Sequence, residues 1–174
     1  GIQVNSSNHS YLYLLRGVTG KVKYDPDSKT LTLNNAVISS SDKEGIKSKI
    51  DKLTIQVDGT NNVITQAFSA IKIQDGETTF SGDGKLKLSG KKFGLYAMRK
   101  ASVTVDNCNI ECDGSFGTDN YDAEVNIYNS TVTAKGKGYA TMRGIKEFIL
   151  DECVITQPMG AYYDSKRNGI VYRS

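Results

Sequence analysis

The sequence predicts an all-β protein, a single-stranded right-handed parallel β-helix of about six coils. Short segments of alternating apolar and polar residues recur along the chain, whereas apolar residues at helical spacing are scarce. The segments begin 22, 25, 25, 22 and 23 residues apart, at Leu31, Leu53, Thr78, Val103, Val125 and Phe148. A near-constant period is typical of a solenoid, because one unit of this size cannot bury its own apolar face.

Each unit is predicted to form three short strands. A corner residue, mostly Asn or Gly, which tolerate left-handed backbone, follows the first strand at Asn35, Gly82, Asn107, Asn129 and Glu152. The second strand presents small inward residues, Ala36, Cys108, Ser130 and Cys153, and then branched ones, Ile38, Ile110, Val132 and Ile155. A third segment closes each unit, at Gly45–Ile46, Ala70–Ile71, Gly94–Leu95, Gly117–Thr118, Tyr139–Ala140 and Gly160–Ala161.

An antiparallel β-sandwich would also have short strands and frequent turns. The β-helix is favoured because stacked coils place equivalent side chains about 4.8 Å apart and reward like neighbours. One predicted outward column contains Thr32, Thr54, Thr79 and Thr104. Right-handedness follows from the crossover preference of parallel strands. Residues 1–174 are predicted to form one domain, in which 1–19 cap one end and 164–174 the other.

The composition excludes several function classes. The 174 residues include 22 Lys and Arg against 19 Asp and Glu, and these interspersed charges argue against a nucleic-acid partner. No segment approaches the roughly 18 consecutive apolar residues of a membrane span. Because His9 is the only histidine and there are three cysteines, a Ser-His-Asp site or a four-ligand Cys/His zinc site would need His9.

The segments Tyr24–Pro26 and Lys29–Ile38, with later Gly-Ile and Gly-Tyr closures, resemble an uncharacterised family of secreted or surface-anchored repeat proteins of gut Bacteroidales and some Firmicutes. The resemblance extends from about Gln3 over nearly the whole chain and is most specific between Val22 and Ile38. It implies a right-handed parallel β-helix, an extracellular or cell-surface location, and a carbohydrate-binding or adhesin-like role. It supplies no catalytic motif.

The three cysteines are predicted to be buried in the core and reduced. Cys108 and Cys112 point inward on one strand, and Cys153 lies two coils from Cys108, roughly 9–10 Å away and beyond disulfide reach. An odd number of cysteines without a Cys-x-x-Cys motif argues against a metal or redox site. They are therefore interpreted as small buried hydrophobic residues.

One outward column could carry function, and it is predicted to contain Asn34, Gln56, Ser81, Asp106, Tyr128 and Asp151. Asp106 and Asp151 would flank Tyr128, with the two carboxylates about 9–10 Å apart. Three interpretations stay open: an inert polar face, a glycan site with Tyr128 stacked on a sugar ring, and an inverting hydrolase site near the upper limit of carboxylate separation. Asp106, Tyr128 and Asp151 are ligand-binding candidates, and no residue is assigned as catalytic.

The acidic segment 113–124 is interpreted as a Gly-rich solvated turn at the edge of that site. Carboxylates clustered on a turn also suit calcium, the one cofactor that the sequence leaves open, with Asp119, Asp122 and Glu124 as its candidate ligands. Tyr121 is a further ligand-binding candidate. The spacing matches no EF-hand loop.

The function predicted from these observations is a non-catalytic secreted or cell-surface module that binds a polysaccharide or host glycan, or acts in adhesion. A polysaccharide-active hydrolase or lyase is the alternative, and a structural spacer is a third hypothesis. Cations near the coil closures would suit an acidic polysaccharide, or would only keep the solenoid in solution: Arg99, Lys100, Arg143 and Lys146.

Overall fold

The structure is a computed structural model that describes residues 4, 7–98, 100–117, 123–135, 142–153, 160–164, 166 and 169–171. These residues form sixteen β-strands and a short 3-10 helix, Leu12–Leu14. Most strands pair in parallel with strands of the neighbouring coils. The predicted all-β parallel solenoid is therefore confirmed.

The first sheet contains one strand from each of six successive coils. Its members are the first half of β2 (Thr30–Ser40), β4 (Leu53–Asp58), β7 (Glu77–Ser81), β9 (Ser102–Asp106), β11 (Ala123–Tyr128) and β14 (Ile145–Asp151). Buried and partly exposed residues alternate along these strands, as expected where one face meets the core and the other meets water.

Two further sheets complete each coil. The second contains the end of β2, β5 (Thr60–Thr65), the start of β8 (Lys85–Ala97), the start of β10 (Asn109–Gly117) and β12 (Thr131–Ala134). The third contains β3 (Ile46–Ser48), β6 (Ser69–Ile73), the ends of β8 and β10, and β13 (Met142–Arg143).

The number of complete coils is slightly lower than the predicted six, and the solenoid has about four turns. The first four coils each contribute at least three residues to all three sheets. In the fifth coil, the closing strand β13 has two residues, and the sixth coil begins with β14.

The predicted register is wrong between the first two coils. Leu31 pairs with Ile55 and not with Leu53, although the next predicted partners, from Leu53 and Thr78 onward, do pair. The shift is two residues, so every side chain stays on its predicted face. The threonine column consequently begins with Thr30, and the column of Gln56 begins with Thr32 in place of Asn34, as the pairing shows.

The same slip affects the second strand, where the chain pairs Ile38 with Val63 and then with Leu88 and Cys112. The prediction that Ile38 and Ile110 lie in one column is therefore wrong. The closing strand of the fourth coil is also displaced, by two residues, because Leu95 pairs with Phe116 where Thr118 was expected. Irregular pairing around Gly114, whose φ is 141°, accounts for this displacement.

The predicted corner residues all have left-handed backbone: Asn35, Gly82, Asn107, Asn129 and Glu152 have φ between 43° and 113°. Stacked corners are joined through their side chains. The amide of Asn129 donates to Oδ1 of Asn107 at 3.4 Å, and the backbone N–H of Thr60 donates to Oδ1 of Asn35 at 3.1 Å. Asparagine thus tolerates the backbone conformation and also satisfies a neighbouring coil.

The core is one continuous apolar column inside the coils. Its largest fully buried side chains include Phe80, Phe116, Leu33 and Ile55. Each coil buries its inward residues only against its neighbours, so the stack stabilises the fold as a unit.

An antiparallel strand covers the first end of the solenoid. β1 (Val18–Asp25) pairs with β2, with Val22 opposite Leu33, and the preceding 3-10 helix buries Leu12. Because β1 occupies the outer hydrogen-bonding edge of β2, no further coil can add there in register.

A small antiparallel ladder lies at the other end. β15 (Tyr162–Asp164) pairs with β16 (Gly169–Val171), and β16 pairs with β13 through Met142 and Ile170. Both Met142 and Ile170 are buried, so this ladder closes the core beside the third sheet.

Candidate functional site

The outer face of the first sheet gathers three of the residues singled out in the sequence. Asp106 pairs with Tyr128, and Tyr128 pairs with Asp151, at the ends of β9, β11 and β14. Inward neighbours in these strands are buried, including Val105 and Ile127, so the three candidates point outward. Their predicted succession on adjacent strands is confirmed.

The backbone around Tyr128 is held in place by neighbouring coils. The carbonyl of Tyr128 accepts hydrogen bonds from the N–H of Asn107 at 3.2 Å and from Oγ of Ser130 at 2.6 Å. The N–H of Asn129 donates to the carbonyl of Asp151 at 3.2 Å. The three candidate side chains therefore project from fixed positions at one corner of the solenoid.

These side chains lie at the surface. Asp106 and Asp151 are exposed and Tyr128 is half-buried. Within the part of the chain that the structure describes, neither carboxylate nor the phenol hydroxyl has a hydrogen-bond partner. The strand spacing places the carboxylates about 9–10 Å apart with the aromatic ring between them. Such an arrangement can accept hydrogen bonds from hydroxyl groups on both sides of a stacked ring.

The earlier members of the same column bond to one another. Oγ of Ser81 donates to Oε1 of Gln56 at 3.3 Å, and Nε2 of Gln56 donates to Oδ1 of Asp58 at 2.9 Å. The second and third coils thus satisfy their outward polar groups internally. In this column, the fourth and sixth coils present carboxylates, those of Asp106 and Asp151, without such a partner among the described residues.

Of the predicted calcium ligands, the structure describes Glu124, which does not lie at this corner. Glu124 lies at the opposite end of β11 from Tyr128, and its carboxylate is 3.3 Å from Nζ of Lys146. Asp119 and Asp122, with the candidate Tyr121, lie outside the described residues. No group of three or more potential metal-ligating side chains occurs in the described ranges.

The interpretation of 113–124 as one solvated turn is wrong at its beginning, because β10 continues to Gly117. Phe116 is fully buried, and its burial draws the chain into the third sheet. Asp113 belongs to the second sheet, where its carboxylate accepts a hydrogen bond from Oγ of Ser89 at 3.4 Å. It therefore lies on another face from Asp106.

Among the predicted cations, Lys100 is exposed and Lys146 pairs with Glu124 as described. Arg143 lies in β13, and Arg99 is outside the described residues. The four cations thus do not form one described cluster.

The cysteines mostly follow the prediction. Cys108 and Cys112 are buried, and desolvation raises the pKa of Cys108 to about 11 and that of Cys112 to about 12. Cys153 is only half-buried, which corrects the prediction that it lies in the core, because it belongs to the last coil. All three are free thiols, and the two buried ones are protonated at neutral pH and chemically inert.

A cluster of aromatic rings on another face was missed from the sequence. Phe68, before the closing strand of the second coil, meets Phe93 and Tyr96 of β8 in the third coil, and the three ring centroids are 4.9–5.3 Å apart. A sequence signal existed, because Phe93 follows Lys91 and Lys92 and comes 25 residues after Phe68, close to one coil.

Among the described residues, no helix has the length and apolar character needed to cross a membrane. Comparisons of the chain with protein-family models, with curated proteins and with solved structures return no match. The resemblance to secreted repeat proteins of gut Bacteroidales consequently stays a prediction from the residues that carry it.

Proposed function

We propose that this chain is a non-catalytic secreted or cell-surface module that binds glycans at the corner formed by Asp106, Tyr128 and Asp151. One observation carries the proposal: an aromatic ring lies between two carboxylates on three adjacent strands, all facing solvent. A sugar presents both an apolar C–H face and hydroxyl donors, and these features complement an aromatic ring and carboxylate oxygens.

The rigidity of the corner also supports binding. The carbonyl of Tyr128 and that of Asp151 are each fixed by a hydrogen bond from the preceding coil. A site held in its bound geometry loses less conformational entropy when a ligand arrives. The solenoid presents this geometry along its axis, which suits an extended polymer.

A polysaccharide-active hydrolase or lyase is the second candidate. The observation that favours it is the register of Asp106 and Asp151, two strand spacings apart, near the upper end of the 6.5–9.5 Å range of inverting enzymes. The two proposals predict different consequences of substituting Asp106.

The test begins with a glycan array, probed with and without calcium, followed by calorimetry with the strongest ligand. Tyr128→Ala is expected to weaken binding about tenfold or more, whereas Tyr11→Ala, which removes an exposed tyrosine at the other end, leaves affinity unchanged. Asp106→Asn is expected to weaken binding, with Asp83→Asn as the matched exposed control.

Equal affinity in the parent and Tyr128→Ala would refute the site. Product formation from the bound glycan, abolished by Asp106→Asn and retained by Asp83→Asn, would replace the binding module by the enzyme.

A further inference from the structure

One apolar residue interrupts the polar outer face of the first sheet, beside the corner of Asp106, Tyr128 and Asp151. The column two residues before that corner contains Thr30, Thr54, Thr79, Thr104, Asn126 and Ile149. Its first five members are polar, whereas Ile149 is apolar and 39% exposed. A single exposed apolar residue is common on protein surfaces, so its neighbours decide what it can contact.

The neighbours of Ile149 are an amide, two carboxylates and an aromatic ring. Asn126 pairs with it across the sheet, and Glu147 and Asp151 precede and follow it on the same face of β14. Tyr128 lies diagonally, since it pairs with Asp151. The strand spacing and the rise per residue place diagonal positions about 8 Å apart. A sugar ring stacked on Tyr128 therefore reaches Ile149 with one of its substituents.

The side-chain amide of Asn126 can bind a ligand. Asn126 is half-buried, and within the part of the chain that the structure describes its side chain has no hydrogen-bond partner. An asparagine amide offers one carbonyl acceptor and N–H donors, and an amide group on a ligand complements both. Ile149, directly across the sheet, offers an apolar contact for a methyl group attached to that amide.

The charges around the corner are negative. Asp106, Glu147 and Asp151 are exposed, and none of them has an ion-pair partner among the described residues. Lys146 of the same strand lies 3.3 Å from the carboxylate of Glu124. Unpaired carboxylates repel an acidic ligand, so the charge favours an uncharged sugar over a uronic or sialic acid.

We propose that the corner binds a glycan of neutral N-acetylhexosamine units, with the acetamido group hydrogen-bonded to Asn126 and its methyl group on Ile149. The proposal rests on the glycan-binding function proposed above and names the sugar class that this site takes. The sugar ring stacks on Tyr128, and its hydroxyl groups donate to the carboxylates of Asp106 and Asp151. Asn126 and Ile149 thereby determine specificity, whereas Tyr128 supplies affinity for any sugar ring.

The test compares N-acetylchitotetraose with cellotetraose by calorimetry. The two ligands share their linkage and differ in the acetamido group that replaces one hydroxyl of each unit. The parent is expected to bind N-acetylchitotetraose at least tenfold more tightly. Asn126→Thr should weaken this binding about tenfold through the lost amide hydrogen bonds. Ile149→Thr, which restores the residue of the earlier coils, should weaken it about fivefold through the lost methyl contact, with a smaller effect on cellotetraose.

Ile64→Thr is the matched control, since Ile64 is 41% exposed on β5 of the second sheet. It is expected to bind both tetrasaccharides like the parent. Tyr128→Ala should weaken both by the same factor, because stacking does not depend on the acetamido group. Circular dichroism checks that each variant is folded, and size-exclusion chromatography measures its oligomeric state. A parent dimer that Ile149→Thr converts to monomers with unchanged glycan affinity would make Ile149 an interface residue and would overturn the proposal.

The sugar class and the glycan function can fail separately. Equal affinity of the parent for the two tetrasaccharides would overturn the sugar class, as would unchanged affinity in both Asn126→Thr and Ile149→Thr. Tighter binding of the deacetylated, cationic tetramer would also overturn it, because charge would then select the ligand. In each of these outcomes, weaker binding by Tyr128→Ala keeps the corner as a glycan site. A parent that binds no glycan would refute both proposals.

Discussion

A buried asparagine ties the first two coils together, and its removal should be costly. Asn61 is fully buried, and its Oδ1 accepts a hydrogen bond from the N–H of Ala36 at 2.8 Å. Its Nδ2 donates to the carbonyl of Asp58 at 2.9 Å. In the next coil the equivalent position is Leu86, so this polar side chain does not recur in every coil.

The expected cost of Asn61→Ala follows from these two hydrogen bonds. The N–H of Ala36 and the carbonyl of Asp58 both lose a partner, and each buried group left unsatisfied costs about 1–3 kcal/mol. Since Asp58 is only partly buried, water can reach its carbonyl and the total should be about 2–4 kcal/mol. For a chain of this size that corresponds to a decrease in Tm of roughly 4–16 °C.

Ser130→Ala is the matched control. Its hydroxyl accepts a hydrogen bond from the N–H of Cys108 at 3.0 Å and donates to the carbonyl of Tyr128 at 2.6 Å, the same arrangement three coils later. Because Ser130 is half-buried, water can replace it, and the loss should be about 1 kcal/mol.

Urea unfolding followed by circular dichroism measures both free energies, and hydrogen exchange of the Ala36 amide reports the lost bond directly. A loss in Asn61→Ala no larger than in Ser130→Ala, with unchanged protection of the Ala36 amide, would refute the reasoning.

Two further predictions concern thiols and pH. A thiol reagent at neutral pH should label Cys153 first and reach Cys108 and Cys112 only on unfolding, because these two are buried. Mass spectrometry measures the rate at each cysteine, and equally rapid labelling of all three would contradict the prediction. A hydrogen bond from Lys85 lowers the pKa of Glu111, so its ionised form adds stability above the ordinary Glu pKa, and this is lost as pH falls through the lowered value. In urea titrations, Glu111→Gln should therefore be slightly less stable than the parent at pH 7 and as stable as the parent at pH 2. An equal loss of unfolding free energy at both pH values would show that the ion pair is not the cause.

The coil and its corners were predictable because their physical causes are local. Alternation of apolar residues specifies which face points inward, and left-handed backbone selects residues such as Asn107 and Asn129. The register of the later coils followed from the same features, since Thr54, Thr79 and Thr104 pair as predicted.

The first register was not predictable from alternation alone. Leu53 and Ile55 are both apolar and two residues apart, so Leu31 fits opposite either without changing faces. The corner distinguishes them: Gly59 has φ of 65° and lies 24 residues after Asn35, as the observed pairing requires. Treating Gly59 as a corner residue would have identified the slip.

The outer faces are less predictable than the core, because packing inside the solenoid places few demands on them. Asp106 and Tyr128 could be placed together because each is the last residue of a regular first-sheet strand with a clear register. Phe68 and Lys92 meet where the chain turns between sheets, and alternation gives no register there. Whether Phe68 meets Phe93 and Tyr96 there depends on how two coils stack, and this contact becomes visible only in the structure.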